Sequence, residues 1–408
     1  MTLKNCHAST PLKLPCGLML KNRLVKTAMS ESMAINFQPT QQHSKMYSKW
    51  ASGGWAMLIT GNIMVDVNHL GSMRDVAVSG AETSIIRNWG VWGEAAQTYD
   101  CCVIAQLNHP GRQSPIGAGN RRLFSKTLAP SAIAMNLGNS CLAGLAGAVV
   151  FGTPKEMTQQ DIEAVISQFA NAARLASLAG LQGVEIHMGH GFLLSQFASQ
   201  ASNTRQDVFG GSATQRVELT LRIIRAVRDL VPRSFCVGVK MNAADYMESD
   251  AAVDMLEQVR VLQKEQVDYL NLSGGSFENP QMMSNDQSLA GRPMKTARTQ
   301  AREGFFIEAS KRIRAEFPDL VIILTGGFRS RPGIQAALES GACDLVGIGR
   351  PAIKYPHLPK DIVFNSHLPD DEARFDIDLV NRTWLASYIP PVGAGVETKY
   401  WATKMRNI

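Results

Sequence analysis

Very little in this chain suits it to a membrane, an oxidising compartment or nucleic acid. The longest apolar stretch of its 408 residues, Cys141 to Phe151, is broken by two glycines and is too short to cross a bilayer. The seven cysteines are odd in number and have no C-x-x-C spacing, so neither a disulfide framework nor a zinc or iron–sulfur motif is indicated. Buried, reduced thiols are the expectation. The opening residues, MTLKNCHASTPLKLPCG, lack the apolar core of a secretory leader, which makes a mature, soluble, cytoplasmic protein the reading. Basic residues exceed acidic ones by 41 to 35, and they are scattered without a basic stripe. That argues against nucleic acid and suits an anionic cofactor or substrate.

What the chain does have is a repeated alternation. Apolar, β-rich runs occur at Leu24–Met29, Trp55–Val65, Cys102–Leu107, Val184–His187, Cys236–Met241, Tyr269–Leu272, Val321–Leu324 and Leu345–Ile348. Helical periodicity lies between them. It is clearest over Thr158–Ala179, with Thr158 as N-cap and Gly180 as stop, and it recurs over Thr214–Leu230, Ala251–Glu265, Gly304–Phe317 and Arg331–Glu339. Eight strand–helix units predict a single α/β domain over residues 1–408, a (β/α)8 TIM barrel spanning about 22–355. An open doubly wound sheet is the alternative, but the G-x-G-x-x-G turn it would want after the first strand is missing. PLKLPCGLMLKNR, turning at Gly17, reads as an N-terminal β-hairpin cap under the barrel. An excursion after the third strand, about 110–155, reads equally as a lid or as structural cover, and a C-terminal extension follows at 356–408. The tail, which holds Tyr400, Trp401 and Arg406, is expected to be disordered.

Polar and glycine motifs follow the strands, at the end where barrel enzymes carry their sites. Gly326-Gly327 and Gly349-Arg350 close the last two strands, where close backbone approach and a guanidinium suit a phosphate. Lys240 ends an apolar strand, a costly place for an unpaired ammonium, so it either neutralises a bound anion or serves as a Schiff-base nucleophile. Gln106 offers an amide to a heteroaromatic edge. His187 and His190 end the fourth strand; a zinc reading would want a third ligand, and no nearby acid or thiol supplies one, so no metal is expected.

KNRLVKTAMS, QLNHPGRQ, GVEIHMGHGFLLSQF, SNTRQDVFGGS, VKMNAADY, TGGF and GIGRP, in this order, resemble the old yellow enzyme family of FMN-dependent oxidoreductases, from about residue 10 to 355. The resemblance implies FMN, reduced by NADH or NADPH, passing hydride to the electron-poor alkene of a conjugated carbonyl compound. It implies that Thr27, Ala28, Met29 and Ser30 line the flavin, that Gly61 gives the ring room and that Gln106 bonds its pyrimidine edge. Lys240 would sit beside flavin N1, with Gly326, Gly327, Gly349 and Arg350 on the phosphate. His187 and His190 would hold the substrate's carbonyl oxygen. A tail that reaches a neighbouring subunit, as in some relatives, would make a homodimer.

Two positions depart from the family pattern: Ser30 stands where some relatives have a redox-tuning Cys and others Thr, and the second lies in the histidine loop. The tyrosine that usually protonates the α-carbon is Phe192 here, which has no proton to give. Tyr246 is the candidate replacement. The departure leaves a redox-neutral isomerase, a flavin-binding barrel with little turnover, and a Schiff-base lyase on Lys240 as rival readings.

Overall fold

The computed structural model describes residues 7–122, 125–138, 141–243, 249–275, 306–378 and 390–408, with positions 278, 304 and 380 besides. Tyr246 lies outside them. All eight expected runs are strands: β3 (Leu24–Lys26), β4 (Met57–Met64), β6 (Cys102–Asn108), β9 (Gly183–Met188), β10 (Cys236–Asn242), β11 (Tyr269–Ser273), β12 (Ile322–Thr325) and β13 (Leu345–Ile348). They run parallel in the order β3-β13-β12-β11-β10-β9-β6-β4, and the β3–β4 pairing closes the ring. A short strand, β5 (Val76–Ala77), adds to the end of β4. The sheet is covered on both faces, which is why its strands read as unbroken apolar runs; every residue of β9 and β10 is buried. Inside, Gly238 is required by the Tyr269 ring, which a Cβ would meet at 2.1 Å.

The hairpin forms as expected. β1 (Leu12–Lys13) and β2 (Met19–Leu20) pair antiparallel, with Gly17 at φ +96° in the turn. Leu14 and Leu20 are buried against Met57, Ile104, Cys236, Tyr269 and Leu345, so the hairpin plugs the amino-terminal end of the barrel.

Helices fill the connections. The one at Gln159–Leu178 is capped at Thr158, whose hydroxyl accepts from the Asp161 N–H, and Gly180 follows in the left-handed region. The helix expected over Thr214–Leu230 is two pieces, Ala213–Arg216 and Glu218–Leu230, which part at Val217. The break turns the Arg216 guanidinium inward, where it meets the Ala198 and Gly211 carbonyls and Asp254. Gln41–Ser52 and Glu82–Gln97 are also helices and pack together through aromatic edges: the Trp92 ring lies 5.3 Å from His43 and 5.1 Å from Tyr47.

The tail is the main correction. Instead of being disordered, it forms a helix, Pro390–Met405, that packs on its own barrel with Trp401 and Met405 buried. Arg406 donates to the Ser32 carbonyl at 3.0 Å, and Gln42 to the Arg406 carbonyl at 2.9 Å. The excursion carries a one-turn helix at Gly111–Gln113, a small parallel ladder of β7 (Leu128–Ala129) with β8 (Lys155–Glu156), and a helix at Cys141–Val150. No helix among the described residues is long and apolar enough to cross a membrane.

Candidate active site

A cavity of about 350 Å³ opens at the carboxyl end of the strands. Thr27, Ala28, Met29, Ser30, Gln106, His187, His190, Phe192, Lys240, Gly326, Gly327, Gly349 and Arg350 all line it, so residues spread over more than three hundred positions converge on one space. Gly61 does not line it. A Cβ there would meet the Glu31 carboxylate at 2.6 Å and the Met29 carbonyl at 2.7 Å, so the missing side chain makes room for the chain's own 29–31 segment rather than for a ligand. The wall at that point is Asn62, one residue on, past a shift in the β4–β6 register between Ile59 and Asn62. Of the excursion, Gln113 reaches the cavity, whereas the described residues of 118–153 do not.

The histidine pair is held in one protonation state by its surroundings. The backbone N–H of Gly189 donates to His187 Nδ1 at 3.1 Å, which leaves the ring proton on Nε2. That nitrogen lies 3.2 Å from His190 Nδ1, and His190 Nε2 lies 3.1 Å from Ser273 Oγ. Burial, with the Lys240 ammonium nearby, pushes both imidazoles well below their ordinary pKa, so they are neutral donors. His190 sits at φ +57°, uncommon for a residue with a side chain, and its N–H is fixed by Asn242 Oδ1 at 2.9 Å. A non-glycine residue held there costs about 1–3 kcal/mol and is typical of functional sites. The Phe192 ring stands edge-on to His187 with centroids 4.9 Å apart.

Below the pair lies a buried polar layer. Glu185 accepts from Gln106 Nε2 at 2.5 Å and from Asn271 Nδ2 at 2.8 Å, and the Thr325 hydroxyl donates to Asn271 Oδ1 at 2.7 Å. Glu185 offsets part of the desolvation that lowers the Lys240 pKa. The Gln106 amide is thus anchored by one N–H and keeps its second hydrogen and its carbonyl for a ring edge.

Sequence reasoning missed a supporting network around β3. Glu31 accepts from the Tyr47 hydroxyl and from the Gly61 N–H and thereby pins the segment that carries Thr27 to Ser30. Lys26 lies over the Trp50 ring at 4.2 Å, and burial lowers its pKa to about 8. Arg329, Thr398 and Trp401 were also missed. Arg329 lines the cavity two residues after Gly327 and adds a second guanidinium near Arg350. Thr398 and Trp401 belong to the C-terminal helix, and Glu397 beside them pairs with Arg350 at 3.2 Å.

A closed parallel barrel with glycines and two guanidiniums after β12 and β13, and two neutral imidazoles at and just past the end of β9, defines a class: a barrel site for a phosphorylated ring cofactor. The NADH:flavin oxidoreductase / NADH oxidase family model matches residues 10–370, and the chain belongs to that family. It is 40% identical over 382 residues to an NADH-dependent flavin oxidoreductase, iliE, of Hypocrea jecorina, covering 93% of this chain and 94% of that protein. It is 43% identical over 371 residues to the iliE protein of a Neonectria strain, covering 89% of this chain; there the chain spans 48% of the relative's length. In fold it is similar to the old yellow enzyme homologue from Zymomonas mobilis, with a TM-score of 0.73 at 20% identity, over 94% of this chain and 98% of that one.

The family's cofactors, FMN and a reduced nicotinamide, are those of this chain. The residues present fit FMN. Thr27 Oγ1 and Asn62 Oδ1 are buried on the cavity wall without a partner from the protein, as groups awaiting a ring's polar edge would be. Gly326 and Gly327, at φ +115° and +88°, sit beside Arg350 at the cavity wall, where a phosphate can approach the backbone.

Proposed function

We propose that this chain transfers hydride from NADH or NADPH to the activated alkene of a conjugated carbonyl compound, with the substrate's oxygen held between His187 and His190. Bound FMN supplies the hydride chemistry. The observation that carries this reading is the imidazole pair, two neutral rings whose facing nitrogens, His187 Nε2 and His190 Nδ1, lie 3.2 Å apart at a cavity wall that also carries an ammonium. A carbonyl oxygen entering there replaces the ring-to-ring contact and accepts from His187 Nε2–H; with the His190 proton moved from Nε2 to Nδ1, Ser273 donating to Nε2 in its place, that ring donates as well, and negative charge is stabilised as it develops on the oxygen. Lys240 adds positive potential under the same wall. Thr27, Asn62 and Gln106 orient the ring, and Gly326, Gly327, Gly349, Arg329 and Arg350 hold the phosphate. The C-terminal helix contributes Thr398 and Trp401 to the wall from within the chain.

The α-carbon still needs a proton, and Phe192 cannot provide one. No tyrosine lines the cavity among the described residues; its hydroxyls are serine and threonine, and its one carboxyl group is Asp75. Phe192 at the tyrosine position motivates a second reading, a redox-neutral isomerisation in which the hydride returns after the double bond has moved. A Schiff base on Lys240 is the weaker rival, and borohydride trapping of substrate on that lysine would support it.

The test is anaerobic. Yellow protein should bleach with NADH or NADPH, and an enone should restore the colour. A phenol should give a long-wavelength charge-transfer band that is lost in His187→Ala. Colourless protein would defeat the proposal, and bound flavin that neither nicotinamide reduces would leave a binding protein. Phe192→Tyr should raise net alkene reduction by about 10²-fold, the low end for an added general acid. No gain on an activated enone would show that the proton already has another source.

A further inference from the structure

Among the described residues, two groups of metal-ligating side chains lie outside the site. In the first, Asp66, His69 and His109 are buried together, with His69 Nδ1 2.6 Å from the Asp66 carboxylate. The Gly111 N–H donates to His109 Nδ1 at 3.0 Å, and burial lowers the His109 pKa to about 4. The neutral ring therefore carries its proton on Nε2, the nitrogen that faces Asp66, and has no lone pair there for a cation. Within this group the His69–Asp66 hydrogen bond already occupies the carboxylate.

The second group lies at the opposite end of the barrel and has no such obstacle. Cys16 is in the hairpin turn, Cys236 begins β10 and Asp268 precedes β11. Their two sulfurs and a carboxylate oxygen lie within 4.8 Å of one another. We propose that Cys16, Cys236 and Asp268 form a binding site for a thiophilic divalent cation of the zinc class, clipping the hairpin to the barrel floor.

Three features support it. A tetrahedral zinc centre with two sulfurs and one oxygen sets its ligands about 3.5–3.8 Å apart, so a contraction of at most about 1.3 Å completes the set. The carboxylate is already oriented: Asp268 Oδ2 accepts from Arg228 Nη2 at 2.8 Å and from the Val237 N–H at 2.7 Å, which fixes the group as outer-shell partners do at metal centres. The charges close as well. Two thiolates and the carboxylate bring three negative charges against the cation's two positive ones, and Arg228 neutralises the remainder. Cys16 is half-buried whereas Cys236 and Asp268 are buried, so solvent meets the group on the Cys16 side, where water can fill the fourth position. Binding exchanges two thiol protons for the cation and releases both to solvent, with no change in oxidation state.

The sequence hides this site. The three ligands share no local motif, and Cys16 stands 220 positions from Cys236.

The experiment uses the full-length flavoprotein, reduced and freed of metal, titrated with Cd2+ and then Zn2+. The expected result is a thiolate-to-cadmium charge-transfer absorption that saturates at one equivalent and is displaced by Zn2+. Cys16→Ser, a change in a half-exposed turn, should weaken binding by more than about 100-fold, beyond the 10–100-fold expected from losing an outer-shell group such as Arg228. Cys102→Ser, on the neighbouring floor, should keep the band. An unchanged flavin spectrum shows that each variant is folded. Binding that does not saturate at one equivalent, or a Cys16→Ser protein that binds as well as the parent, would overturn the proposal. So would protein isolated with Cys16 and Cys236 joined as a disulfide.

Discussion

The two ends of this barrel are built from the same eight strands and have opposite characters. At the carboxyl end, strand ends give way to glycines, guanidiniums and imidazoles around a cavity with unpaired polar atoms in its wall. At the amino end, the hairpin drives Leu14 and Leu20 into an apolar floor. A parallel barrel separates its tasks by strand direction, so the floor can be optimised for packing while the mouth keeps polar groups poorly satisfied until a ligand arrives. Replacements at the floor should therefore cost stability, and those at the mouth should cost ligand binding and turnover.

The sharpest contrast comes from His187→Ala. It should lower kcat/KM by about 10²–10³-fold, the usual loss for one donor to a developing oxyanion, with the thermal midpoint nearly unchanged. A melting loss as large as the activity loss would mean that the mouth is structural after all. Leu20→Ala is the counterpart below. It should cost about 2–5 kcal/mol in denaturant unfolding and leave the turnover of the folded fraction intact.

Gly61→Ala tests the place where the two characters meet. The added methyl would press on Glu31 and the Met29 carbonyl, costing about 1–3 kcal/mol and loosening FMN as the 27–31 segment shifts. Equilibrium dialysis of the flavin reads the second effect, and unchanged FMN affinity would separate the segment from the cofactor.

The smallest effect concerns pH. Burial raises the Asp75 pKa to about 6 from an ordinary 3.8. The folded state therefore holds that proton more tightly than the unfolded state. The contribution is fully present below about pH 4 and is lost as pH rises through 6. Asp75→Asn should flatten the stability slope between those values by on the order of 1–2 kcal/mol, measured by urea unfolding across the window.

The eight strands were legible because each is buried on both faces and written in aliphatic residues. The helix Gln41–Ser52 was not, since its buried face includes His43, Met46, Tyr47 and Trp50, correctly spaced but, Met46 apart, polar or aromatic in type. Most of the cavity could be read from the glycine and polar residues at the strand ends. Gly61 was misplaced by a single residue because the irregular β4–β6 pairing turns Asn62 to the cavity, and a strand's facing has a period of two. Trp401 escaped because nothing in the local tail sequence reveals which distant surface it covers.

That tail carries a consequence for how the protein is made. The barrel closes with β13, which ends at Ile348, while Trp401 comes 53 positions later. At about 5–20 residues per second, several seconds of synthesis separate the two. In that interval the strands can pair before the last section of wall has been delivered, so cofactor entry and enclosure are distinct events in the life of each molecule.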